Sequence, residues 1–500
     1  MLVRKQRDPM RAFSWSARTG GRALAASLVV LIVAAACGTA VSTPTQSFSP
    51  TGSPGPTATA SPTDSASPSP TSVQTPSTSP KATQPAGAGF AIAMGNAPLL
   101  APADDNGALA GAEINDFGFD LLRRLDSKGN LCVSPASIAL ALAMVLPGAR
   151  GQTAAEMDKV LHGFGSTGQE REMVALLKAF QDANQYDDSA WYDSHPDASP
   201  DATPDRTGLA PFSELDVSNA LFAQKGMGLG QAYLDALSSE FGAGVAQLDY
   251  AADPEAARLI INKWASDATK GRIPQVLQPG DVDNSTLIEL ANAIYLKSGW
   301  EDPFDPTKTK PLPFTTASGK KVSVPTMATQ LLLAYSHGPG YRAVDLPLST
   351  MSMTFIVPDD MAAFVKSLTA AKLKAIDKAS VESIVTLTLP RFSNESRVEL
   401  AQVLAAMGMP TAFSDSADLS GISADRKILL ATVVHQANID VVEEGVTAAA
   451  VTVVGGKGSA GPPPPKVTFN INKPFLYFIR EWTTNTVLFM GRVDDPSTKS

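Results

Sequence analysis

Gly455-Gly456-Lys457-Gly458-Ser459-Ala460-Gly461 holds the ingredients of two kinds of chemistry. Glycines beside a lysine can cradle phosphate, and a serine between small residues can be a nucleophile. Neither spacing is met. A phosphate-binding loop needs Ser or Thr directly after its Gly-Lys pair, a glycine opening the motif and a helix after it. Here Gly458 follows Lys457, Val451 holds the opening position, and Pro462 to Pro465 follow. A nucleophile turn needs glycine two residues on each side of its serine. Ser459 has Gly461 after it but Lys457 before it. The four histidines, at 162, 195, 337 and 435, have no metal-ligand spacing, and Cys37 and Cys132 are the only two cysteines. No metal, cofactor or enzymatic activity is expected, and a disulfide-stapled scaffold is excluded. A formal charge of −9 argues against a nucleic-acid partner.

The stretch before the glycines has another character. Glu443-Glu444-Gly445 is followed by Val446-Thr447-Ala448-Ala449-Ala450-Val451-Thr452-Val453-Val454, small or β-branched throughout, with no charge and no proline. With period two, Val446, Ala448, Ala450, Thr452 and Val454 share one face and Thr447, Ala449, Val451 and Val453 the other. Both faces suit a strand buried on at least one side. The flanking glycines and prolines suit an exposed loop. Two readings stand: a segment written for two states, or an edge strand with a flexible tip.

Around this stretch the chain divides in three. Arg4, Lys5, Arg7, Arg11, Arg18 and Arg22 precede an apolar run, Ala23–Ala36, shorter than a membrane span. Residues 1–37 therefore read as a signal peptide. Ala34-Ala35-Ala36-Cys37-Gly38 resembles a bacterial lipobox, with Cys37 lipidated and the chain anchored to a membrane; plain cleavage near Ala36 is the alternative. Residues 38–89 are rich in Ser, Thr, Pro and Ala and read as an extended, disordered stalk. Residues 90–500 are globular. Their hydrophobic pattern predicts helices at Asn115–Leu125, Ser137–Leu146, Thr153–Leu161, Glu170–Ala183, Asp253–Thr269 and Glu395–Met407. Strands are predicted at Val217–Gln224, Thr286–Lys297, Met351–Val357, Ser383–Leu389, Leu429–Val442, Lys466–Asn472, Phe475–Arg480 and Val487–Arg492. The segment 187–211 reads as a solvated insertion. Helices early and strands late indicate an α+β fold.

Several segments together resemble the serpin family. Glu443-Glu444-Gly445 with Thr447 to Ala450 is similar to the serpin loop hinge. Phe469…Lys473-Pro474-Phe475-Leu476-Tyr477-Phe478-Ile479-Arg480 and Leu488-Phe489-Met490-Gly491-Arg492-Val493 resemble its C-terminal signature. Asn292-Ala293-Ile294-Tyr295-Leu296-Lys297-Ser298-Gly299-Trp300, Ser134-Pro135-Ala136-Ser137-Ile138-Ala139 and Ala417-Asp418-Leu419-Ser420-Gly421-Ile422 match in the family's order.

The resemblance implies N-terminal helices, a large central mixed or antiparallel sheet, a C-terminal barrel-like region and an exposed reactive loop at about 443–465. It implies a monomer whose partner is a target protease, serine-type or alternatively cysteine-type. The protease cuts the loop, and the freed hinge enters the central sheet as a new strand, trapping the acyl-enzyme. By resemblance Ser137, Asn292 and His435 form the shutter beneath the opening. Glu443, Arg391 and Trp300 form the breach at its top, and Glu443 to Ala450 the hinge. Counting from Glu443 puts the scissile bond at Ser459–Ala460, with Lys457–Gly458 as rival. Val446 stands where members usually carry Thr or Ser, and Val451 where Ala is typical. Slow insertion there would favour the alternative, a non-inhibitory binding or surface module.

Overall fold

A computed structural model describes residues 90–125, 129–184, 195, 213–430, 433–446 and 463–498. Residues 1–89, on which the expected signal peptide, Cys37 and stalk fall, nearly all of the expected 187–211 insertion, Thr447 to Ala450 of the expected hinge and both candidate scissile bonds lie outside the described residues.

The helices are α1 (Ala108–Arg124), α2 (Pro135–Val145), α3 (Gly151–Val160), α4 (Glu170–Asp182), α5 (Gln231–Phe241), α6 (Pro254–Ala268), α7 (Met361–Lys366), α8 (Ala370–Lys378) and α9 (Ala401–Met407). The sequence of α2, PASIALALAMV, is apolar all round, so it must be central, and every residue in it is buried. Ser134 starts it: its hydroxyl accepts from the Ser137 amide at 3.1 Å, and Pro135 fills the first turn, where no N–H is needed.

The strands are β1 (Ala91–Ala93), β2 (Leu131–Val133), β3 (Glu214–Gln224), β4 (Val245–Leu248), β5 (Ile288–Gly299), β6 (Lys310–Thr315), β7 (Lys321–Gly338), β8 (Tyr341–Pro347), β9 (Met351–Pro358), β10 (Val381–Pro390), β11 (Phe392–Glu399), β12 (Val434–Val442), β13 (Gly445–Val446), β14 (Lys466–Asn470), β15 (Phe475–Glu481) and β16 (Val487–Val493). They make two sheets. A seven-stranded sheet has the order β1-β4-β3-β5-β13-β12-β11, and a nine-stranded sheet the order β14-β10-β7-β8-β9-β15-β16-β2, with β6 paired to β7. The barrel-like region expected at the C-terminus is this second sheet; among the described residues it does not close, β14 and β2 remaining its ends.

The seven-stranded sheet is covered on both faces. Ile294, Leu296, Ala437, Ile439 and Val441 belong to the main core with α2. Ala291, Ala293 and Val434 point the other way and pack with Ile261, Trp264 and Ala265 of α6. One predicted element is corrected. Glu395–Met407 is not a single helix: Glu395–Glu399 completes β11, paired with β12 from Glu395↔Asn438 to Glu399↔Val434, and only Ala401–Met407 is helical. Ladder pairing against a long neighbour outweighs local helix preference there. The strand predicted from Leu429 begins at Val434.

Candidate functional site

The site is the seam between β5 and β12. At its upper end β13 lies between them. Gly445 pairs with Gly299 of β5 and Val442 of β12, and Val446 with Ser298 and Val441, both antiparallel. The first hinge residues are therefore already strand, and Val446 is fully buried in the main core. The sequence reading flagged Val446 as an obstacle to insertion; in the structure an apolar side chain suits this place. Gly445 has φ of 150°, and a Cβ on it would stand 2.3 Å from the Ser298 carbonyl oxygen. Only glycine permits that approach.

Glu443 and Glu444 turn the chain from β12 into β13. The Glu443 side chain is 1% exposed. Its Oε1 accepts from Arg391 Nε at 2.8 Å and pairs with Nη2 at 2.6 Å, and it also accepts from the Thr309 hydroxyl. Burial alone would raise its pKa, but the Arg391 and Thr309 hydrogen bonds prevail and hold it below the usual glutamate range. The backbone is tied as well. Trp300 Nε1 donates to the Val442 carbonyl at 2.9 Å, Trp300 N to Glu444 O at 3.1 Å, and Phe304 N to Glu443 O at 2.9 Å. The structure thus brings Glu443, Arg391 and Trp300 together. Sequence reasoning missed Thr309 and Phe304, which sit over a hundred residues earlier and carry no motif.

Further down the seam, His435 of β12 and Asn292 of β5 meet directly: His435 Nδ1 lies 2.9 Å from Asn292 Oδ1. His435 Nε2 accepts from the Ser134 amide at 3.0 Å, so the ring proton sits on Nδ1 and donates to Asn292. Burial pushes the His435 pKa down to about 3, keeping the ring neutral. Ser137 differs from expectation. Its amide is tied to Ser134, and its buried hydroxyl makes no hydrogen bond among the described residues. The group that holds the histidine is the Ser134 backbone, and the Ser134-Pro135 helix start was its sequence signal. Among the described residues Asn292 Nδ2 and Asn219 Oδ1 are also buried without partners, on residues directly opposite in the β3–β5 ladder. Among the described residues no three His, Cys, Asp or Glu side chains come together as a metal site.

A family model described as serpin (serine protease inhibitor) matches residues 112–496. The bovine leukocyte elastase inhibitor is 33% identical over 396 residues, 76% of this chain and 97% of that protein. Human serpin B3 is 33% identical over 397 residues, with the same coverages. Iripin-8 of Ixodes ricinus is 34% identical over 392 residues, 76% of this chain and 92% of its own. Among solved structures, native tengpin, a thermophilic serpin, superposes with a TM-score of 0.65 at 24% identity, covering 81% of this chain and 97% of its own. Uncleaved ovalbumin gives 0.62 at 27% identity, covering 77% and 100%. With Gly445 and Val446 seated between β5 and β12 and the family match running over residues 112–496, the chain belongs to the serpin family.

Proposed function

We propose that this serpin is a suicide inhibitor of endopeptidases, serine-type in the first instance, that works by inserting its cleaved loop between β5 and β12. The observation that carries this reading is the double register of β13. Continued downward residue by residue, both ladders agree. Ala448 would fall between Leu296 and Ile439, and Ala450 between Ile294 and Ala437, all in the main core. Val451 and Val453 would fall beside Ala293 and Ala291, on the face that α6 covers. The alternation of the sequence thus matches both faces of the slot. Each ladder hydrogen bond contributes about 0.5–1.5 kcal/mol net, and the side chains add about 25 cal/mol per Å² of buried apolar surface. The names of the relatives, which include elastase inhibitors, support the same reading.

In this mechanism a protease serine attacks the carbonyl of Ser459, or of Lys457, and forms an acyl-enzyme. Residues beyond Val446 then zip into the slot before water releases the ester. The proposal extends to location: lipidation of Cys37 would hold the inhibitor at a membrane surface on its stalk.

The test is to incubate the protein with serine proteases, look for SDS-stable adducts, and weigh the released C-terminal peptide to fix the cut bond. The nicked protein should melt far above the intact one. Ala448→Arg, which drives a charge into the core face of the slot, should turn trapping into simple cleavage. Cleavage without adduct or thermal gain would establish the non-inhibitory alternative, and an Ala448→Arg variant that trapped as well as the parent would rule out insertion.

A further inference from the structure

The helix α6 packs on both sides of the seam, on Ala291 and Ala293 of β5 and on Val434 of β12. The segment after it is stitched to the helix. Asn262 Oδ1 accepts from the Val276 and Leu277 amides at 2.9 and 2.8 Å. The Leu277 carbonyl accepts from Arg258 Nη1 and Asn262 Nδ2, both at 2.9 Å. A turn then brings Asp281 Oδ2 to the Gln278 amide at 2.6 Å, and the chain runs on into β5 at Ile288. Asp281 thus belongs to the β5 side. Burial, and then the Asp281 charge, hold the Glu289 carboxyl of β5 well above the usual glutamate range, as a near neighbour would.

From the other side comes Arg397 of β11, opposite Gln436 of β12. Its Nη2 pairs with Asp281 Oδ2 at 2.7 Å, with the two side chains only 25% and 19% exposed. Gln436 stands at the level that Val451 would reach if the ladder of β13 were continued. The other ion pair from this segment to the same strands, Arg272–Asp440, is different. Asp440 adjoins Val441, where β13 already parts β5 from β12.

A strand entering below β13 must part β5 from β12 by about 4.8 Å. The apolar contacts beneath α6 are non-directional and tolerate a slide. An ion pair 2.7 Å long does not. Either it breaks, or the turn at Asp281 comes away from α6.

We propose that the Arg397–Asp281 pair is a clasp across the closed part of the seam, and that its release sets the pace of strand entry. This rests on the inhibitor reading above.

The full-length protein is incubated with a synthetic peptide of the loop's own sequence, Thr447 to Gly458, carrying a fluorophore on Lys457, and uptake is timed on native gels. Asp281→Asn keeps an acceptor for the Gln278 amide and removes the charge; Arg397→Gln removes the partner. Each should take up the peptide about threefold faster than the parent. The double variant should be no faster than either single one, because all three lose the same interaction. Raising NaCl from about 0.05 to about 1 M should narrow the gap between parent and variants. Lys263→Gln breaks an exposed pair with Asp267 inside α6 that does not cross the seam, and should leave the rate unchanged. Variants no faster than the parent, additive single effects, or an equal gain from Lys263→Gln overturn the clasp. Peptide uptake by none of the proteins would instead remove the slot, and with it the inhibitor reading.

Discussion

His435 donates its Nδ1 proton to Asn292 Oδ1 across the seam between β12 and β5, at the level that Thr452 would reach if both ladders of β13 were continued. The bond joins the two strands where a hydroxyl of the inserting strand would have to take over. Its partners are fixed from behind, His435 through the Ser134 amide and Asn292 through the β3–β5 ladder.

Removing the acceptor should loosen that latch. In Asn292→Ala the buried Nδ1–H of His435 loses its partner, a cost of about 1–3 kcal/mol. The intact protein should melt lower. On prolonged warming it should also convert faster to a heat-resistant form with its uncut loop inserted. Re-melting after timed incubation measures both, and a variant as slow to convert as its parent would show that the bond is no latch.

Acid should act on the same residue. The folded pKa of His435 is pushed down to about 3, whereas an unfolded histidine titrates near 6.5. The unfolded chain takes up a proton that the folded chain refuses. This contribution to stability is whole above about pH 6.5 and is lost as pH falls toward 3, at about 1.4 kcal/mol per pH unit. Between pH 6.5 and 5 the loss is about 2 kcal/mol. His435→Gln keeps a donor and an acceptor without a titrating ring. Denaturant melts of both proteins across this range should show the variant losing less by that amount; parallel curves would contradict the assignment.

At the top of the seam, Gly445→Ala puts a methyl group where the Ser298 carbonyl oxygen would be 2.3 Å away. The chain must withdraw from β5, at a cost of about 1–3 kcal/mol. Hydrogen exchange at Val446 should rise severalfold, and trapping should slow because insertion loses its seed. Unchanged exchange would mean that β13 tolerates the substitution and that glycine is not required there.

Much of this arrangement was readable in the chain. Glu443-Glu444-Gly445 and Asn292 to Trp300 are local strings, and the structure brings Glu443, Arg391 and Trp300 into contact. What was not readable depends on tertiary pairing. Glu395–Glu399 has helix-compatible residues, yet the ladder with β12 makes it strand. The long β7 escaped notice because its exposed and buried positions follow no clean alternation. Ser137 was placed in the shutter by resemblance alone, and its hydroxyl has no hydrogen-bond partner among the described residues. The actual donor to His435 is the Ser134 main chain; Ser134-Pro135 announces the helix start, but not that its amide would face the histidine. The early strand pairing of Gly445 and Val446 was hidden for a similar reason: it depends on how closely Ser298 approaches, a distance that no pattern encodes.

Trp300 gives the molecule its own optical gauge. Its indole is fully buried, edge-on to Phe304 at 6.1 Å, and bonded to the carbonyl of Val442, the residue just before the turn into β13. Of the other described tryptophans, Trp264 is buried on the sheet-facing side of α6 and Trp482 is 42% exposed on the surface. Emission from Trp300 should therefore change colour or intensity whenever the hinge moves, so the kinetics of the conformational step can be followed in stopped flow with no dye attached.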